Sequence, residues 1–569
     1  MQPVAVLALA LAAGTAAEPD APSPHRCVHD ALYGRTHDKV YTPLHSSAYA
    51  EGTDIDARAR TLAVGTASGP TSTLSPLRIT PVFLQMNLPT AMRTFLTGTL
   101  MPTAIANWQQ RLSVQATQGP LYAHRECSSV WTGTRTLQCA GFAPVTYCVQ
   151  GFDGVELPLT PYLGQDFYYP DSPSRQVSLA PTGGGFPSTD FAILVTAVQT
   201  SVCGSAGPTV LAYAQTCQRD AATDRPTIGR INFCPNALSS APADWPSQLS
   251  TAAHELSHAL GFTSDSLPLF RNPDGSPQTA RSTYDPTAPA DNFYTQFTCP
   301  SDGYVYPQYM ADARTVQFTQ ERGSAPCTWT GARSTSFLPL VDGATQPSDC
   351  VARLNTPNAV AAAAWYTGCS SMGGAELDAS GSCAIYGSHW AARAMAQELM
   401  SPLLWHKTFT SPLTLSWFAD SGWYGVAWAL ADANSGGDWG FRQGCSVSKG
   451  ACNLPSAGIR GGGAVGGAYP HFYLSNASTL TASPATSARS ASAGTAVCTT
   501  DGRSLAFVDV DSNSPPPPLR MRYFASPFTQ YGGYKEYDFC VRVPCAVCAM
   551  CVCVLVPVLL QHHPSHPPL

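Results

Sequence analysis

The chain has 569 residues, long enough for two to four domains and a sizeable core. A formal net charge of -6, with 12% charged residues and no block of like charge, leaves no basic face for nucleic acid and excludes it as a partner. Twenty cysteines, spread along the chain rather than grouped in CxxC pairs at zinc-finger spacing, indicate disulfides formed in an oxidising compartment.

The N-terminal MQPVAVLALALAAGTAAEPD carries an apolar run from Val4 to Ala13, then small residues at Thr15 and Ala17 placed for cleavage. Residues 1–17 therefore read as a signal peptide, and the secretory pathway as the route. Residues 18–75 are polar and turn-rich without sustained periodicity, which suits a pro-segment. Strands are expected over Pro76–Leu84 and Asp190–Val198, the second nearly continuous in apolar residues, as in a strand buried on both faces. Between them, Leu88–Val114 fits helix in two pieces around Pro102, so strand, helix and strand form one layered unit.

Further on, TIGRINF (Thr227–Phe233) reads as another strand, and Thr251–Phe262 (TAAHELSHALGF) as a helix with Ser247 or Ser250 as N-cap and Gly261 as its stop. Residues 263–357 are rich in Pro, Asp, Thr and Gly and resemble an irregular insertion. Helical patterning returns at TPNAVAAAAWYTG and at HWAARAMAQELM, the latter opened by His389. After Trp439 the chain turns Gly-rich, then Ser/Ala/Thr-rich, and predicts a loop-dominated region held by disulfides. Asn476, in Asn476-Ala477-Ser478, is a glycan acceptor candidate. Val543–Leu560 is apolar for 18 residues but contains Pro544, Pro557 and four cysteines, and largely polar residues follow it. As helix it would reach about 27 Å, a marginal membrane span and a candidate attachment through the C-terminal tail. An unrelated terminus is the alternative; a lipid-anchor signal would end in its apolar segment.

The chemistry concentrates in HELSH. Positions i and i+4 share a helix face, so His254 and His258 can offer two imidazoles to one metal ion, with Glu255 in reach of a water activated by it. Zinc suits this arrangement: three protein ligands leave an open position, and a carboxylate takes the proton. Glu255 is thus the expected general base. The third ligand is not local. The compact form of the motif needs histidine at 264, which is Ser264; Asp265 reads as a turn residue; and no glutamate occurs between Glu255 and Glu321. The downstream histidines ahead of the tail are His389, His406 and His471. His389 precedes Glu398-Leu399-Met400-Ser401-Pro402, a methionine followed by turn chemistry, by eleven residues to Met400. A methionine in a tight turn beneath the metal marks metzincins, which favours His389.

Several blocks together resemble the leishmanolysin family of surface zinc metalloproteases, whose metzincin motif is interrupted by an inserted domain before the third histidine. They are HRCVHD, LAYAQTCQRDAATDRPTIGRINFCPN, AAHELSHALGF, GAELDASGSCAIYGSHW, ELMSP and WALADANSGGDWGFRQGC, collinear over Pro24–Cys540, roughly nine tenths of the chain. The resemblance implies that His254, His258 and His389 bind one Zn2+, that Glu255 is catalytic and that Met400 forms the Met-turn. It also implies that Cys27 is a switch, its thiolate held at the metal until the pro-segment is removed. Setting aside Cys27 and the four tail cysteines leaves fifteen, an odd number, so counting does not decide between a switch and a disulfide there.

The implied fold class is α+β: a metzincin-like catalytic N-terminal lobe with mixed sheet and active-site helix (76–265), an inserted central subdomain (266–385), a loop-rich, disulfide-held C-terminal lobe (386–540) and the apolar tail (541–569). Thr227–Phe233 would be the sheet edge that takes an extended peptide. The expected function is that of a secreted or cell-surface zinc endopeptidase, made as a zymogen, acting on protein or peptide substrates. A surface adhesion protein with a structural zinc site is the rival from another class, although a closed structural site needs no base at Glu255. A metal hydrolase of non-peptide bonds is the weaker third.

Overall fold

The computed structural model describes residues 25–27 and 29, most of 74–279 and of 350–432, and short strands and turns elsewhere. The expected signal peptide, Asn476, His406, His471 and the 541–569 tail lie outside the described residues. Among the described residues no helix is long and apolar enough to cross a membrane.

The architecture is α+β. A two-residue strand, His25–Arg26 (β1), stands apart near the N-terminus. The first sheet is built from Ile79–Met86 (β2), Phe191–Ala197 (β3), Ala212–Arg219 (β4) and Pro226–Phe233 (β5) in the order β4-β5-β3-β2. β3 runs parallel to both β2 and β5, and β4 closes the sheet antiparallel to β5. Every residue of β3 is buried, as its unbroken apolar FAILVTA requires. The same holds for β5, and this corrects the expectation for Thr227–Phe233: with β4 on one side and β3 on the other, it has no open edge. β4 stands at an edge.

Between β2 and β3 the helices Thr90–Phe95 (α1) and Met101–Arg111 (α2) are joined by a π-turn, Leu96–Leu100. Pro102 therefore does not break the helix: the widened π-turn directly before it accommodates the ring and the missing N–H. Trp245–Ala259 (α3) packs across β4 and β5 and starts earlier than expected, with Asp244 at the N-cap and Ser247 inside the first turn, its hydroxyl donating to the Asp244 carbonyl. Gly261, with φ +106°, turns the chain out of the helix; a Cβ there would meet Pro226 and Trp423 at 2.9 and 3.0 Å.

A second, antiparallel sheet is formed by Val316–Gln320 (β6), Cys350–Leu354 (β7), Ala375–Ser380 (β8) and Ile385–Trp390 (β9), in that order. The stretch expected to be irregular thus contributes strands, Tyr294–Thr298, Val305–Asp312 and Phe337–Pro339 among them. His389 is the penultimate residue of β9 rather than the start of a helix, since IYGSHW pairs along β8; beyond it, among the described residues, Ala392–Met395 are helical. The helices Pro357–Thr367 (α4) and Pro412–Asp420 (α5) pack together, and Leu403–Leu404 (β10) pairs antiparallel with β1. The described disulfides are Cys148–Cys217, Cys203–Cys234 and Cys369–Cys445.

One hydrophobic core runs from the first sheet through α2 and α3 into β7, α4, β9 and α5. The fit of α3 onto the sheet depends on Gly229, where a Cβ would lie 2.7 Å from the Ala259 Cβ and 2.9 Å from the Phe191 ring. Gly229→Ala is expected to cost about 1–3 kcal/mol by overpacking this contact, read as a lowered midpoint in urea with an unchanged slope.

Candidate metal centre

α3 presents His254 and His258 one turn apart, both fully buried, with ring centroids 4.7 Å from each other. The end of β9 brings His389 to 5.3 Å from the His254 ring and 5.0 Å from the His258 ring. The chain that separates them returns close to where it left: the backbone N–H of Ser264 donates to the Ser388 hydroxyl at 3.2 Å. Asp265 faces elsewhere, accepting from Arg219 at 3.2 Å.

The outer nitrogen of each helix imidazole is committed. His254 Nδ1 lies 2.6 Å from the Leu399 carbonyl and His258 Nδ1 2.7 Å from that of Phe262, so each donates its N–H there. The two Nε2 atoms then face each other 3.0 Å apart as lone pairs. Burial pushes His258 well below the ordinary histidine range, and the neighbouring His29, His254 and His389 push it the same way, so the ring is neutral. Two facing acceptors of this kind fit a cation between them. The donor atoms of Cys27, His254, His258 and His389 all lie within 4.8 Å of one another, an imidazole and thiol set of the kind zinc takes.

Cys27 reaches this cluster because β1 is zipped to β10 and because its own N–H donates to the Pro402 carbonyl at 3.0 Å. Its Sγ stands 3.4 Å from His258 Nε2. Two residues on, His29 stacks flat on His258 with centroids 4.0 Å apart and donates from Nδ1 to the Ala214 carbonyl, at 2.9 Å, on the edge strand β4. Glu255 is wholly buried; burial drives its carboxyl well above the usual range, opposed by hydrogen bonds from the Cys27 thiol and the Ala214 N–H.

Met400 is fully buried in a turn closed by the Ser401 N–H on the Glu398 carbonyl at 3.1 Å. This turn touches both ligand-bearing elements: Leu399 supplies the acceptor for His254, and the Met400 carbonyl accepts from the Trp390 N–H at 2.8 Å. His29, Glu398 and the Ala214 backbone were not singled out from sequence. For His29 the signal available was its place two residues from Cys27 in HRCVHD. The Ala214 and Leu399 contributions are backbone carbonyls, which no residue type announces.

Beyond this geometry, a sequence model of the family described as Leishmanolysin matches residues 174–274 and 337–554. The chain is 29% identical over 392 residues to a leishmanolysin-like peptidase of Caenorhabditis elegans, covering 68% of this chain and 53% of that one. To a leishmanolysin-like peptidase of Drosophila melanogaster it is 28% identical over 365 residues, 62% of this chain and 47% of the relative. To a ciliated left-right organizer metallopeptidase of Xenopus laevis it is 27% identical over 322 residues, 55% of this chain and 36% of the relative. The chain spans about half the length of the first of these curated relatives and less of the others. With more than half of its residues matched by the family's sequence model, the chain belongs to the leishmanolysin family.

Proposed function

We propose that the chain is a secreted or cell-surface zinc-dependent metalloendopeptidase, with His254, His258 and His389 as ligands of one Zn2+, Glu255 as general base and Met400 as the Met-turn residue. The observation that carries this reading is the convergence of three buried imidazoles, two of them with Nδ1 committed to carbonyls, from segments 131 positions apart. The disulfides and the family support an extracellular site of action. In this reading 76–265 supplies the helix with Glu255, 386–540 supplies His389 and Met400, and 266–385 is the insertion between them.

When bound, zinc supplies Lewis acidity toward a scissile carbonyl and makes a water molecule more acidic. Glu255, whose proton affinity burial raises, takes the proton from the attacking water and returns it to the leaving amine, with no covalent intermediate. The edge strand β4 is the place where an extended protein or peptide substrate would lie alongside the sheet; Ala214 there gives its carbonyl to His29 and its N–H to Glu255. Cys27 holds the zymogen latent twice over, filling the fourth donor position and engaging Glu255. Removal of the segment carrying it opens both.

The four-donor set with Cys27 in place also suits a second reading, an adhesion protein whose zinc is structural and permanently closed. A fluorogenic peptide assay on the processed protein, with and without a chelator, separates the two: cleavage abolished by chelation and restored by zinc is expected, and no cleavage at all would favour the structural site. Glu255→Gln is expected to keep one zinc per chain while turnover falls by about three orders of magnitude or more; unchanged turnover removes Glu255 from the mechanism. Cys27→Ser in the unprocessed protein is expected to raise basal cleavage and, after cobalt substitution, to abolish the thiolate-to-metal charge-transfer band. A wild-type spectrum without that band would sink the switch.

A further inference from the structure

Among the groups that the proposed chemistry does not use, the Glu398 carboxyl stands out as a buried acid with four hydrogen-bond donors beside the metal centre. It is 1% exposed, and both oxygens are saturated. Oε1 accepts from the Ser411 N–H at 3.0 Å and from the Ser411 hydroxyl at 2.9 Å. Oε2 accepts from the Met400 N–H at 2.9 Å and from the Thr414 hydroxyl at 2.6 Å. Ser411 is the N-cap of α5 and Thr414 lies in its first turn, so one carboxyl ties the turn at 398–401 to the head of a nine-residue buried helix. A carboxyl there also complements the positive end of that helix.

The turn so anchored faces the metal centre on two sides. Its Leu399 carbonyl takes the His254 Nδ1 proton, which fixes that ring's tautomer and orientation. Its Met400 carbonyl takes the N–H of Trp390, the residue after His389, and the Trp390 indole N–H donates in turn to the Thr414 hydroxyl at 3.1 Å. Two separate paths, one through the turn and one through Thr414, therefore run from Glu398 to the elements carrying His254 and His389. Only His258, oriented by Phe262 within its own segment, is independent of them.

We propose that Glu398 is a positioning residue for the metal centre: by pinning the 398–401 turn to α5 it sets the orientation of the His254 ring and the place of the β9 end that bears His389. This rests on the reading of His254, His258 and His389 as the zinc ligands. The role asks for a carboxyl in particular, because four donors converge on its two oxygens; the amide of glutamine would turn a donor toward two of them.

The test measures zinc affinity of the full chain by chelator competition, together with the visible spectrum of the cobalt-substituted protein, for wild type and Glu398→Gln. Asp420→Asn serves as control, since Asp420 is an equally tied buried carboxylate that accepts from Thr356, Asn358 and Ala359 at the head of α4, away from the metal centre. Glu398→Gln is expected to weaken zinc by about 10- to 100-fold and to shift the cobalt bands, while Asp420→Asn lowers the thermal midpoint and leaves affinity and spectrum as in wild type. Affinity and spectrum equal to wild type in Glu398→Gln overturn the proposal, and so does an equal loss in Asp420→Asn. Should Glu398→Gln fail to fold, Thr414→Val and Ser411→Ala each remove one donor and are expected to weaken zinc a few-fold; no change in either overturns it. A wild-type chain that takes up no zinc, or a His389→Ala variant that binds as tightly as wild type, fails differently: it removes the metal-site reading and this proposal with it.

Discussion

A histidine at the end of a strand must be held within a few ångströms of two others on a helix, although 130 residues lie between His258 and His389, and the rest of the molecule is arranged around that constraint. The clamp is aromatic. Phe262, just past the end of α3, stacks on Trp417 of α5 at 4.1 Å and meets Trp390, next to His389, edge-on at 5.1 Å. Each such pair contributes about 0.5–1.5 kcal/mol beyond the area it buries. Carbonyls at and just past the end of α3 are met by side chains from outside: Thr216 donates to those of His258 and Ala259, Tyr424 to that of Leu260 and Trp417 to that of Gly261. The donors from Trp417 and Tyr424 belong to the part of the chain that follows the third histidine, so the helix end is complete only when that part has docked.

Two buried glutamates show how environment divides labour between identical side chains. Glu398 takes four hydrogen bonds and is nonetheless raised to about 7, burial outweighing its donors. Glu255, also wholly buried, has the Cys27 thiol and one backbone N–H against the same desolvation. A carboxyl with saturated oxygens is a fixed strut; one partnered by the thiol of a cysteine far away in sequence depends on where that distant segment is held.

Local patterns were the readable part of the chain. The helix with its i, i+4 histidines, the buried apolar strand at 191–197 and the helix after Thr356 follow from periodicity and show as expected. Strand order did not follow, because β5 reads the same whether its flanks are paired or open; only the arrangement around it puts β4 outside it at an edge. His389 lies beside the helix pair but on another element than expected, since Ala-rich HWAARAMAQELM imitates a helix and tertiary pairing with β8 wins at its start. The lining of the centre was hardest to foresee: Leu399, Phe262 and Ala214 act through main-chain oxygens, whose positions depend on the fold and not on residue type.

The contact between Ser264 and Ser388 carries a consequence for how such a chain can diverge. Because departure and return lie side by side, the entropy of closing the intervening stretch grows only with the logarithm of its length, about 0.6 kcal/mol for each doubling. Connections within that stretch can therefore lengthen with little thermodynamic penalty at the junction, whereas β7, α4 and β8 inside it are held by the shared core. Growth is cheap in the loops and costly in the elements they join.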